Sequence, residues 1–199
     1  MKLNFRRIWQ SSLIVAILML VIGIAIDKGE VERYIDRMDR YMADGDYASA
    51  LQVGIESDKS NARLTQLRVE ALAHEHLLGE RLFSYPVRGA GASLVAKGGD
   101  YELCAYLIDK NLDKFADALS KYYPAGKPLP RYYREALVLY NHLRSSPSVV
   151  YHDNVLDTDY RDLQELERRH RSWNARRMAV FQNYEGTYWY YYEYENRQK

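Results

Sequence analysis

His74-Glu75-His76 and Tyr151-His152-Asp153-Asn154 both set histidine beside a carboxylate, the residue types that bind metals or move protons. In the first, the histidines are two residues apart. On a helix their side chains point about 200° away from each other, so they cannot share one ion as ligands one turn apart do. That stretch reads as a helix surface. In the second, a histidine general base would need a serine or cysteine nucleophile at a strand-to-helix elbow or a helix start, and neither accompanies it. Cys104 is the single cysteine and lies in the apolar run Leu103-Cys104-Ala105-Tyr106-Leu107, which places it in a core without a second thiol. Glycines cluster at Gly89, Gly91, Gly98 and Gly99, but no G-x-x-x-x-G-K-[ST] phosphate loop is present and no strand precedes them. We therefore assign no catalytic residue, no metal ligand and no cofactor, and expect no enzyme.

Two further sets of side chains suit binding. Arg168-Arg169-His170-Arg171, with Arg176 and Arg177 nearby, could meet an acidic partner or lipid headgroups, although Glu165 and Glu167 offer helix-surface pairing. Several of the chain's 19 tyrosines fall in the last sixteen residues. There Tyr188, Trp189, Tyr190 and Tyr192 form a candidate interaction surface, or a strand, or a segment whose rings close the end of a helix stack. Lys plus Arg number 28 against 27 for Asp plus Glu, a net charge of +1, so no global field would collect nucleic acid.

The elements that would carry these groups begin with an apolar segment. Residues 8–26 hold no charge, and 19 helical residues extend about 28 Å, close to the hydrocarbon thickness of a bilayer. Ile8, Leu13, Leu18, Val21 and Ile26 mark the expected membrane span. Lys2, Arg6 and Arg7 precede it, while Asp27, Glu30 and Glu32 dilute Lys28 after it. The positive-inside rule then gives a single-pass inner-membrane protein with a cytoplasmic N-terminus and a periplasmic C-terminal domain. A cleaved signal peptide is the competing reading, because residues 13–26 are the strictly apolar part and Gly23-Ile24-Ala25 resembles a small-x-small cleavage site.

From Glu30 onward the apolar spacing is helical. Val31, Tyr34, Ile35, Met38, Tyr41 and Met42 form one face, and Asp44-Gly45-Asp46 ends it. Tyr47, Ala50, Leu51 and Val53 open a second helix, and a third runs from Ala62 to Leu78 and meets Gly79. Gly45 and Gly79 are 34 residues apart, the tetratricopeptide period, with each glycine expected at a tight turn. Residues 84–99 read as a loop. Residues 101–119 read as another hairpin in which Asn111 takes the turn glycine's place. Pro130 opens a helix through Leu143, and a last helix runs from Thr158 to about Arg171. The expected fold is all-α: an N-terminal transmembrane helix followed by a tetratricopeptide-like stack of helical hairpins. Its divisions are residues 1–28 as anchor, 29–183 as helical domain and 184–199 as tyrosine-rich tail.

The runs LGERLFSYP (78–86), LPRYYREALVLY (129–140) and GTYWYYYEY (186–194) resemble the C-terminal region of an uncharacterised family of bacterial membrane proteins. The resemblance implies a tetratricopeptide-like exported region behind a membrane part, and it brings no catalytic residues. The expected function is a membrane-anchored protein–protein interaction scaffold. Its partners would be membrane lipid through the N-terminal helix and an envelope protein, with no nucleic acid. The alternative is an envelope enzyme or carbohydrate-binding module using the aromatic tail. A third reading makes the chain one part of a larger transport or assembly system.

Overall fold

A computed structural model describes the backbone of residues 5–195 and the side-chain surroundings of 13–19 and 29–195. All regular elements among the described residues are helical. They are α1 (Phe5–Ala43), α2 (Tyr47–Gln52), α3 (Ala62–His74), α4 (Leu78–Arg81), a 3₁₀ turn (Leu82–Ser84), α5 (Ala92–Val95), α6 (Gly99–Ile108), α7 (Leu112–Tyr122), α8 (Arg131–Leu143), α9 (Asn154–Arg168), α10 (Trp173–Tyr184) and α11 (Tyr188–Tyr194).

Helix starts fall where the sequence supplies a short polar side chain. Asp46 accepts from the Ser49 amide at 3.0 Å and Asn61 from Leu64 at 2.8 Å. Asn111 accepts from Lys114 at 3.1 Å, and Asp153 from Val155 and Leu156, each at 3.2 Å. Ser172 and Thr187 do the same for α10 and α11. Each satisfies an amide that the first helical turn leaves unpaired.

One turn design recurs. At Gly45, His76 and Lys110 the backbone is left-handed, with φ of 74°, 57° and 56°. At each, the next amide reaches back five residues at 2.8 Å (Asp46 to Tyr41, Leu77 to Leu72, Asn111 to Tyr106) and the turn residue's own amide reaches back three. This double closure satisfies the orphan carbonyls at a helix end. It joins α1 to α2, α3 to α4 and α6 to α7, three helical hairpins built alike.

The glycine spacing is corrected by this geometry. The second turn lies at His76, and Gly79 sits inside α4, where a Cβ would stand 2.7 Å from Pro130 Cβ and 3.0 Å from Tyr133 Cζ. Gly79 therefore serves close contact with α8. Asn111 is likewise the cap of α7, and Lys110 is the left-handed residue. Because His76 is exposed and an L side chain in the left-handed region costs roughly 1–2 kcal/mol, His76→Gly should stabilise the fold. Glycine's greater chain entropy offsets part of that gain, leaving about 0.5–1 kcal/mol in urea unfolding. A variant less stable than the native chain would refute the role given to this turn.

The membrane expectation is overturned. Among the described residues no helix is long and apolar enough to cross a membrane, which removes the single-pass, inner-membrane localisation. The strictly apolar run of residues 13–26 gives only about 21 Å of helix, short of the ~30 Å hydrocarbon core. α1 has no break at residue 28, where the anchor was expected to end, and continues to Ala43. Leu13 and Leu18 are 54% and 59% exposed. The side chains of Ile8, Val21 and Ile26 lie outside the described residues.

The hairpins stack through one core. Val31, Ile35 and Met38 of α1 are buried, with α1 packing on α2 and α3. α3 passes the core to α4 and α6, and α8 touches α4, α7, α9 and α11. The most deeply buried side chains include Met38, Leu64, Leu72, Leu103, Phe115, Tyr132, Tyr133 and Tyr188. α9 and α10 form a further pair, and α11 turns back from α10 onto α8.

Candidate functional site

The tyrosine-rich tail was expected to be a docking surface, a strand or a closing segment, and its position decides what surface remains for function. Tyr188, Trp189 and Tyr190 are buried, and Tyr192 is half-buried against the core. They do not form an open interaction surface. The physical reason is that their polar groups are matched inside the molecule. Tyr188 O–H donates to the Leu107 carbonyl at 3.2 Å and Tyr191 O–H to Ile108 at 2.8 Å, two carbonyls at the end of α6. Trp189 Nε1 donates to the Glu135 carbonyl at 2.8 Å. Phe83 meets the rings of Tyr132, Tyr188 and Tyr191 at centroid distances of 4.5–5.1 Å.

Both ends of α11 are held by charged side chains that sequence reasoning passed over. Glu135 Oε2 accepts the Tyr188 amide at 2.7 Å, while Oε1 accepts from Arg131 Nε at 2.7 Å. Lys110 Nζ donates to the Tyr192 carbonyl at 2.7 Å, near the C-terminus of α11 where the helix dipole favours a cation. Tyr194 O–H donates to Glu167 Oε1. Nothing local marks Glu135 or Lys110 as holding α11, whose Tyr188 and Tyr192 lie more than fifty residues away from them in the chain.

Burial pushes the Glu135 carboxyl above its ordinary value of 4.5, against the pull of Arg131 and the Tyr188 amide. The folded state thus holds this proton more tightly than the unfolded chain does. The stability it contributes is full below about pH 4.5 and is lost as pH rises through the folded value. Glu135→Gln keeps an acceptor for the Tyr188 amide but cannot titrate. The stability difference between Glu135→Gln and the native chain should therefore move in the variant's favour as pH rises from 4.5. Denaturant midpoints across that range test this, and a constant difference would refute it.

The remaining candidates from the sequence are placed as follows. The His74 ring stacks on Tyr47 with centroids 4.1 Å apart, and His76 forms the turn. Among the described residues no group of three or more His, Cys, Asp or Glu side chains could hold a metal ion. Asp153 caps α9 and pairs with Arg134 at 3.4 Å, while His152 is exposed. Burial pushes the Cys104 thiol up to about 12, so it is not a ready nucleophile. A cavity of about 700 Å³ brings Arg131, Arg134, Glu135 and Asp153 beside Trp189, without His152. Trp189 is only 4% exposed there, too covered to stack on a sugar.

The basic cluster lies at the end of the α9–α10 hairpin. Glu165 pairs with both Arg168, at 3.0 Å, and Arg169, at 3.4 Å. Arg171 and Arg177 are exposed. On α10 only Val180 is fully buried. Met178 is 60% exposed, and Trp173 and Phe181 are each 39% exposed. Trp173, Arg177 and Phe181 follow one line along the helix at four-residue spacing, with Asn174 and Met178 on the adjacent line. These residues fall in the stretch 29–183 expected to be helical, although no individual helix was placed over them. Ser172 before Trp173 was the available signal, because it occupies the cap position.

Residues 97–195 match a family of unknown function (DUF6057), a stretch that takes in α6 to α11 with Lys110, Glu135 and the tail helix. The runs 129–140 and 186–194 fall inside it, and 78–86 precedes it. No curated protein and no solved structure matches the chain.

Proposed function

We propose that this chain is a protein–protein interaction module of the tetratricopeptide type, a stack of helical hairpins that binds and performs no chemistry of its own. The observation that carries this reading is the turn built alike at Gly45, His76 and Lys110, followed by hairpins packed in sequence. A unit of this kind buries its apolar face only against neighbours, and the array presents an extended surface of successive helices. The tail supports it, since α11 closes the stack with its polar groups engaged internally, as a terminal segment must. The carbohydrate alternative needs an open ring platform, and Trp189 does not supply one.

Crosslinking of the full chain in intact cells, read by mass spectrometry, tests the proposal. The expected result is a reproducible set of crosslinks from the hairpins to one partner protein. Recovery of the chain with self-crosslinks alone would overturn it.

A further inference from the structure

We infer that the outer face of the α9–α10 hairpin tip is the docking surface of this module, and that its partner is an acidic amphipathic protein segment. The inference rests on the interaction reading above and adds the face and the partner's chemistry.

Charge supplies the first argument. The tip brings Arg168, Arg169, His170 and Arg171 together with Arg176 and Arg177. Arg168 and Arg169 suit the fold, standing at the C-terminal end of α9 and sharing Glu165. Arg171, Arg176 and Arg177 stand at the opposite kind of helix end. They flank the start of α10, the positive end of its dipole, in a first turn without acidic residues. Arg177 hydrogen-bonds Tyr190 and draws on Glu195 within the fold, whereas among the described residues no carboxylate pairs with Arg171 or Arg176. The fold therefore supplies no carboxylate to Arg171 or Arg176, whereas a partner's carboxylates would.

Composition supplies the second. Exposed Met178, Trp173 and Phe181 sit on the strip that carries Arg177. Tryptophan, methionine and arginine are the residues enriched at the buried centres of protein interfaces. Phe181 and Trp173 are also supported from beneath by the rings of Tyr190 and Tyr194, at 5.7 and 6.0 Å, so the anchors are held in place before a partner arrives. A purely anionic partner would leave Met178 in water, and a purely apolar one would bury unpaired arginines. A segment with carboxylates along one side and apolar residues along the next satisfies both.

A fluorescein-labelled helical peptide with Glu on one face and Leu on the adjacent face is the probe, with polyglutamate as control. The full chain should bind the probe saturably and more tightly than polyglutamate. Arg171→Glu with Arg177→Glu should weaken binding at least about tenfold, and Met178→Asp should weaken it several-fold. Circular dichroism should remain that of the native chain, because these side chains are exposed. Equal binding by variant and native chains would overturn the assignment, as would polyglutamate binding as tightly as the probe, or no saturable binding of the probe. In cells, a partner still crosslinked to the Arg171→Glu/Met178→Asp variant would overturn the tip alone, whereas absence of any partner on the native chain would overturn the module reading.

Discussion

Tyr188→Ala should destabilise the fold by roughly 3–5 kcal/mol, the range for removing a buried aromatic ring from a core that cannot collapse around the void. Tyr188 is fully buried, at 0% exposure, with Phe83 at 5.0 Å on one side and the Tyr191 and Tyr192 rings at about 6 Å on others. Its backbone amide is the one that Glu135 accepts. The loss thus reaches beyond the ring, since the first residue of α11 is both the deepest aromatic of the tail and the point where the tail is fixed to α8. Tyr188→Phe isolates the hydroxyl. It leaves the Leu107 carbonyl without the donor at 3.2 Å, and the cost should be about 1 kcal/mol. Urea unfolding of the three chains checks the ordering. A Tyr188→Ala cost below about 1 kcal/mol would mean that α11 is an appendage rather than part of the core.

Much of the helix layout was legible because caps and turns are local. Asp46, Asn61 and Asn111 stand in sequence where short polar side chains stop one helix and start the next, and Gly45 stands where a left-handed residue is needed. The 34-residue glycine spacing failed for a physical reason. A glycine can be required for its conformation or for its lack of a side chain, and sequence does not distinguish the two. Gly45 is the first kind, whereas Gly79 is the second, pressed against Pro130 and Tyr133. The turn at His76 tolerates an ordinary residue instead.

The tail was illegible for another reason. Tyr188-Trp189-Tyr190-Tyr191-Tyr192-Glu193-Tyr194 has the composition of a strand. It is helical because Thr187 and Glu135 satisfy its first amides and because the carbonyls ending α6 receive its hydroxyls. All but the first of these partners are distant in the chain, so local propensity could not reveal them. The N-terminal apolar run misled in the opposite direction, since absence of charge over residues 8–26 suggested more span than its strictly apolar part provides. The α9–α10 tip was half legible. Its arginines were visible as a cluster, but the strip of Trp173, Phe181 and Met178 beside them exists only once α10 is known to be a helix.

Gly91→Ala should cost about 3 kcal/mol, the upper end of what overpacking does, although nothing about the backbone there demands glycine. Gly91 has φ of −76° and ψ of −16°, an ordinary helical conformation open to alanine. The constraint is contact. A Cβ at this position would stand 2.2 Å from the Ala105 carbonyl oxygen and 2.7 Å from its carbonyl carbon and Cα. These are backbone atoms of a fully buried turn of α6, so no flexible side chain can yield. The oxygen cannot swing aside freely either, because it accepts the Asp109 amide at 3.0 Å, and Asp109 Oδ1 in turn holds the Gly91 amide at 2.8 Å. Relief requires the 84–99 segment to separate from α6, which breaks that bond and opens the packing of Leu94. Gly29→Ala is the matched control. It lies inside α1 with nothing within 4 Å of its added Cβ and should stabilise by about 0.5–1 kcal/mol through helix propensity alone. Opposite signs for the two substitutions in one urea series would establish that close approach fixes Gly91, and a Gly91→Ala chain within about 0.5 kcal/mol of the native one would show that the segment does not press on α6 as described.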